Sequence, residues 1–221
     1  MGDWCRRRFA VFVHVGSGTV AMSDLFELRL DTMLRRIRGW VRTIEGMGRE
    51  RRLRLIMVTL TYDPKRCEYG AGDIREYVKF LKRKVRGLVG WAWVAETHRD
   101  GRIHYHMLVA VEAGTRFPMP DKPGGGWPYG ASRVATARSP WYLVTYLGKE
   151  YQKDLERLPK GLRLYGVSVR DPAWREVMRA LCGLAEGRDG GSDWRLVGTC
   201  VTREYAEHVL MPKGEVRGSL C

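Results

Sequence analysis

Long apolar runs are missing from this chain. No stretch approaches the roughly 18 residues needed to cross a bilayer, and Met1 to Arg8 leads into no signal-peptide core, so a cytoplasmic, membrane-free protein is expected. Cysteine pairing is missing as well: Cys5, Cys67, Cys182, Cys200 and Cys221 are odd in number, widely spaced and without a CxxC pair. That argues against a disulfide framework and against a structural zinc site. No GxxxxGK[ST] element occurs, so the chain carries no P-loop of its own to drive duplex unwinding. Asn is absent and Gln occurs once, at Gln152, a depletion found in proteins of hot environments and equally produced by codon bias.

Charge is present in excess. The 221 residues carry 39 Lys and Arg against 25 Asp and Glu, a formal net charge of +14. Such a surplus favours a polyanionic partner, because each neutralised phosphate releases condensed counterions. With 44% hydrophobic residues and eight Trp the chain can also bury a core.

Periodicity divides the sequence into alternating elements. Phe9 to Val20, with Gly16-Ser-Gly18, predicts a hairpin, and Ser23 then offers an N-cap to a long amphipathic helix running through Phe26, Leu30, Ile37, Val41 and Ile44. Leu55 to Tyr62 predicts a buried strand closed by Asp63-Pro64. Asp73 and Glu76 resemble a capping box for a helix reaching Leu88, whose outer face carries Arg75, Lys79, Lys82, Arg83, Lys84 and Arg86. Trp91–His98 and Ile103–Glu112 predict two strands joined at Arg99-Asp100-Gly101. Ala113 to Arg138 is Gly/Pro-rich and too long for a passive connector, so it is expected to be functional or disordered. Ser139-Pro140 should open a helix to about Asp154. A strand over 163–169, a helix over 172–185 and a last strand over 194–202 complete the pattern.

Alternate residues of a strand share a face, so His104 and His106 can reach one metal ion. A three-residue loop, Arg99 to Gly101, sets Glu96 opposite His104 and brings all three side chains together; a two-residue turn sets Glu96 opposite Tyr105 and turns it away. Two imidazoles and a carboxylate with open positions suit Mn²⁺ or Mg²⁺ beside a phosphate oxygen. On the helix begun at Pro140, Tyr142, Tyr146, Lys149, Glu150 and Lys153 fall on one face, a polar stripe suited to a phosphate.

Met57-Val-Thr-Leu-Thr-Tyr-Asp-Pro64, Glu96 eight residues before His104-Tyr-His106, and Tyr146-Leu-Gly-Lys149 resemble, in that order, the three motifs of HUH endonucleases of the rolling-circle replication initiator type. The resemblance runs from about residue 55 to 169. It implies an α+β fold with a ferredoxin-like, RRM-like central antiparallel sheet and flanking helices. It divides the chain into 1–50, an N-terminal hairpin plus long helix packed on the core; 51–186, the nuclease core; and 187–221, a C-terminal extension with a candidate edge strand.

The same resemblance implies a metal-dependent, site-specific single-strand DNA nickase and strand transferase acting through a 5′-phosphotyrosine. Its metal ligands fall on His104, His106 and Glu96, with Glu150 at an acidic position some relatives add. Its nucleophile falls on Tyr146, with Lys149 as helper. Tyr142 matches the second tyrosine of a YxxxY pattern, and is equally explained by packing or base stacking. Thr59, Thr61, Arg99, Arg102, Trp127 and Lys153 are the candidate DNA contacts. The implied partners are single-stranded or hairpin origin DNA, a host helicase and a DNA polymerase, in a prokaryotic host cell. The alternatives are a single-tyrosine transposase of the same superfamily and a non-catalytic RRM-like nucleic-acid-binding module, whose usual aromatic signature is not evident.

Overall fold

The computed structural model describes residues 9–14, 16–17, 20–65, 68–97, 102–144, 161–184 and 194–200. The chain forms two compact units, Leu34–Ala185 and Met1–Met33 with Glu186–Cys221. In the latter, β1 (Phe9–His14) pairs antiparallel with both β2 (Val20–Asp24) and β8 (Trp194–Cys200), giving the order β2-β1-β8. Helix α1 (Leu25–Glu50) begins in this unit and continues into the other.

The larger unit is built on a five-stranded, wholly antiparallel sheet of order β6-β3-β5-β4-β7, comprising β3 (Leu53–Thr61), β4 (Leu88–Thr97), β5 (Ile103–Glu112), β6 (Ser132–Thr136) and β7 (Tyr165–Val169). Helix α2 (Asp73–Lys84) links β3 to β4, and β5 inserts between those two, which is a split β-α-β arrangement. The architecture is α+β, an open antiparallel sheet with flanking helices, consistent with the RRM-like fold expected.

Period-two alternation decides the two sheet faces. Ile56, Val58 and Leu60 of β3, Trp91, Trp93 and Ala95 of β4, and Ile103, Tyr105, Met107, Val109 and Val111 of β5 all turn one way. There they bury against Ile74, Tyr77 and Leu81 of α2. Arg75, Lys79, Lys82, Arg83 and Lys84 of α2 remain exposed on its outer side. On the opposite sheet face, Gly90 and Ala92 of β4 and Leu108 and Ala110 of β5 make an apolar floor, and α1 approaches it through Trp40. The Trp40 indole donates to the Ser168 carbonyl at 3.1 Å, and a Cβ at position 90 would lie 3.3 Å from Trp40 Nε1 and 2.8 Å from Ser168 O. Glycine at 90 is the residue that lets helix and strand approach this closely.

Three local expectations change. The capping box does not form: Gly72 occupies the N-cap of α2, while the Asp73 carboxylate accepts from Tyr62 Oη at 3.0 Å and from the Gly70 amide at 3.2 Å, and Glu76 pairs with Lys79. Helix α2 stops at Lys84 rather than Leu88, because Val85 is extended, Gly87 takes φ +69° and Leu88 is drawn into β4. The Gly/Pro-rich segment is neither a loose connector nor an exposed binding loop. It folds against the core, then returns as β6, the strand on the outer side of β3. Asp121 and Ser132 brace that return, with Ser132 Oγ donating to Asp121 Oδ1 at 2.8 Å. These bonds hold the Asp121 carboxyl below the usual carboxylate range.

Candidate active site

The centre of the candidate site is β5, the middle strand of the sheet. Because odd residues of β5 enter the core beneath α2, His104 and His106 turn to the other face. The β4–β5 register sets Thr97 opposite Ile103 and Glu96 opposite His104. The alternative register, with Glu96 opposite Tyr105, is therefore not the one formed, and Glu96 stands on the histidine side. The residues of the turn itself, Arg99 among them, lie outside the described residues. On the other flank, β3 sets Thr61 opposite His104 and Thr59 opposite His106.

Contacts follow this register. Glu96 Oε2 lies 2.9 Å from His106 Nε2, a diagonal reach across one strand gap, with both side chains largely buried. Thr61 Oγ1 lies 3.0 Å from His104 Nδ1, and Thr59 Oγ1 lies 3.4 Å from His106 Nδ1. The two imidazoles are nearly parallel, 9° apart in plane with centroids 6.5 Å apart.

This donor set is chemically suited to a divalent cation. Imidazole nitrogen and carboxylate oxygen are ordinary ligands for such ions, and with Nδ1 of each ring facing a threonine, Nε2 is the nitrogen that can ligate. Among the described residues, however, no group of three or more His, Cys, Asp or Glu is already gathered as a metal cage. Instead, the Glu96 carboxylate and the His106 imidazole contact each other directly. Two imidazoles and one carboxylate also leave coordination positions for oxygen donors from elsewhere.

The start of the expected tyrosine helix is well defined. Ser139 Oγ accepts from the Trp141 amide at 3.2 Å, as an N-cap should, and residues 142–144 are helical. The Trp141 indole donates to Glu45 Oε1 of α1 at 2.7 Å, and Leu143 is fully buried. Together these two anchors turn Tyr142 outward, 52% exposed. Tyr146, Lys149, Glu150 and Lys153 lie outside the described residues. Tyr62, Tyr69, Tyr77 and Tyr105 are chemically quiet by contrast, because burial holds their phenol pKa above the ordinary tyrosine value. Tyr105 sits between the two histidines in the chain and points into the opposite face.

Residues 55–154 match the family model of the replication-associated protein ORF2/G2P. Over that span the chain is similar to a replication-associated protein family. The match covers a little under half of the chain and contains every candidate site residue named above. No curated protein and no solved structure gave a match. Among the described residues, no helix is long and apolar enough to cross a membrane.

Within this matched segment the structure gathers Glu96, His104, His106, Thr59 and Thr61 on one sheet face, and places Arg102, partly exposed, one residue before β5. It removes Trp127 from the candidate DNA contacts. That residue is 1% exposed, ringed by Tyr62, Tyr77, Tyr105 and Tyr129, and its indole donates to the Thr61 carbonyl at 3.3 Å. An indole packed against four aromatic rings has no face left for a base, and Trp127 is a plug of the core. Arg133 is the residue that sequence reasoning missed. It is exposed, and β6 sets it directly opposite Thr59, on the face that carries His106.

Proposed function

We propose that this chain is a metal-dependent, site-specific single-strand DNA endonuclease and strand transferase that initiates rolling-circle replication. The observation that carries the reading is the register-fixed cluster of Glu96, His104 and His106 on one sheet face, inside a segment of replication-associated type. A divalent ion such as Mn²⁺ or Mg²⁺, when bound there, would polarise the scissile phosphodiester and offset charge on its non-bridging oxygens.

The chain's own residues divide the remaining work. His104, His106 and Glu96 supply the ligating atoms, and Glu150 is a further candidate. Tyr146 is the nucleophile: its phenolate oxygen bonds to phosphorus, the bond from phosphorus to the 3′-oxygen breaks, and that oxygen takes a proton to leave as a 3′-hydroxyl. Lys149, three residues from Tyr146 in the sequence, would supply that proton or hold the phosphate. The covalent product keeps the phosphodiester energy, so attack by a 3′-hydroxyl on the phosphotyrosine reverses the step without ATP. Tyr142, on the exposed face, is placed either to stack a base or to take a second strand. Arg102 and Arg133 bring positive charge for the phosphate backbone, and Arg99 and Lys153 are further candidates for the same role. The free 3′-hydroxyl suits extension by a polymerase, and unwinding falls to a separate helicase.

The test is intact-protein mass after incubation with Mn²⁺ and single-stranded or hairpin origin oligonucleotides. A DNA adduct lost in Tyr146→Phe and kept in Tyr142→Phe supports one principal nucleophile; loss shared between the two supports a two-tyrosine cycle. DNA binding without any adduct would replace this reading with that of a binding module.

A further inference from the structure

We propose that Thr61 is a positioning residue that fixes the ring orientation of His104, so that its Nε2 is the nitrogen presented for ligation, with Thr59 a weaker counterpart at His106. This inference rests on the metal-dependent reading above. Neither threonine is placed to touch the reacting atoms; both act through an imidazole.

The argument begins with the imidazole itself. A neutral ring carries a proton on one nitrogen and a lone pair on the other, and whichever nitrogen ligates must hold the lone pair. A group that accepts a hydrogen bond at Nδ1 therefore selects Nε2 as the ligand, and partners of this kind orient metal-binding histidines generally. Here strand register holds at Nδ1 a hydroxyl that can accept as well as donate, and accepting is the role that leaves the Nε2 lone pair for an ion. Thr61 and Thr59 stand directly opposite His104 and His106 on β3, with Oγ1 to Nδ1 distances of 3.0 and 3.4 Å. Threonine suits this task better than serine in one respect, because its β-branched side chain has few χ1 states and the strand fixes which one it takes. The near-parallel rings, 9° apart, accord with a threonine standing opposite each.

The two pairs are unequal. Thr61–His104 has ordinary hydrogen-bond length, whereas Thr59–His106 is long and His106 has Glu96 at 2.9 Å as its closer partner. Thr61 is thus the main orienter of His104, whereas at His106 the nearer partner is the Glu96 carboxylate, on Nε2, and Thr59 is the lesser one. The spacing of Thr59 and Thr61 matches that of His106 and His104 because both pairs obey the same period of two.

The experiment uses the full chain, Mn²⁺ alone and no DNA. Mn²⁺ affinity is measured by calorimetry for wild type, Thr61→Val, Thr61→Ser and Thr59→Val, and imidazole ¹⁵N spectra of the metal-free proteins report the tautomer. Valine keeps the branched shape and deletes the hydroxyl; serine keeps the hydroxyl. Thr61→Val should weaken Mn²⁺ about tenfold or more, Thr61→Ser should restore most of it, and Thr59→Val should weaken it less. His104 should be the Nδ1–H tautomer in wild type and mixed in Thr61→Val. Wild-type affinity in Thr61→Val, equal losses in the valine and serine variants, or an unchanged tautomer in Thr61→Val would each overturn the proposal. If wild type itself binds no Mn²⁺, the metal-dependent reading fails separately, while the ¹⁵N spectra still decide whether Thr61 sets the ring.

Discussion

Tyr105 and His106 are consecutive residues of one strand and belong to two different environments. Around Tyr105 lie Trp93 and Trp127, edge-on at 5.5 and 6.0 Å, and Tyr62 at 6.3 Å, all beneath α2. Around His106 lie a carboxylate, a hydroxyl and, two strands away, an exposed guanidinium. A strand alternating with period two lets one segment hold the core with one set of side chains and present chemistry with the other. The His face is itself divided along the strand: Leu108 and Ala110 are fully buried, and only its 104–106 end is polar. The polar cluster therefore occupies one end of one face, on the central strand of the sheet.

The sharpest way to break this comparison is to truncate each neighbour in turn. Tyr105→Ala removes a ring at the centre of the aromatic cluster and should cost about 3–5 kcal/mol in unfolding free energy, read by urea denaturation. His106→Ala should abolish the protein–DNA adduct while the protein still unfolds cooperatively, and the loss should be at least about a hundredfold in adduct rate. Equal effects of the two changes on stability would mean that the faces are not functionally separate.

Alkali tests the core face alone. Tyr62, Tyr77 and Tyr105 have phenol pKa values raised by burial, so in the folded state they keep protons that the unfolded chain releases near pH 10. Their contribution is fully present below about pH 10 and is lost as pH rises further, because the unfolded state then binds fewer protons. Urea midpoints measured from about pH 8 to 11 should fall steeply above 10, together with a cooperative rise in phenolate absorbance. Independent titration of these phenols at about pH 10, with no loss of stability, would contradict their burial.

Period-two alternation also accounts for how much of the fold and site is legible in the sequence. Strand β5 matches its expected bounds, and the β4–β5 register sets Glu96 opposite His104, because hydrophobic spacing is a local signal. What is not legible depends on partners distant in sequence. Strand β6 has three exposed residues of five and sits at the sheet edge, so it carries no apolar alternation to read. Trp127 lies among glycines and prolines that suggest an open loop, yet its environment is made by Tyr62, Tyr77 and Tyr105, far away in the chain. Asp73 has the spacing of a cap, and its carboxylate is spent on Tyr62. Thr59 and Thr61 have strand propensity enough to be explained without function, and only the β3–β5 register shows their hydroxyls meeting imidazoles.

Arg133 gives the smallest expected effect and the finest test of the comparison, because it lies on the histidine face without belonging to the cluster. Being exposed and on an edge strand, it contributes little to stability, and Arg133→Ala should leave the unfolding free energy within about 0.5 kcal/mol of wild type. Mn²⁺ affinity should be unchanged as well. Its removal should weaken single-stranded DNA binding by a similar factor for every sequence tried. The slope of log affinity against log salt should fall by about 0.7, the amount expected for one lost phosphate contact on a single strand. An unchanged salt slope would confine the DNA path to the β4–β5 side of the histidines. A sequence-dependent loss would instead make Arg133 a reader of bases, which an arginine at the rim of the sheet, one strand beyond Thr59, is long enough to be.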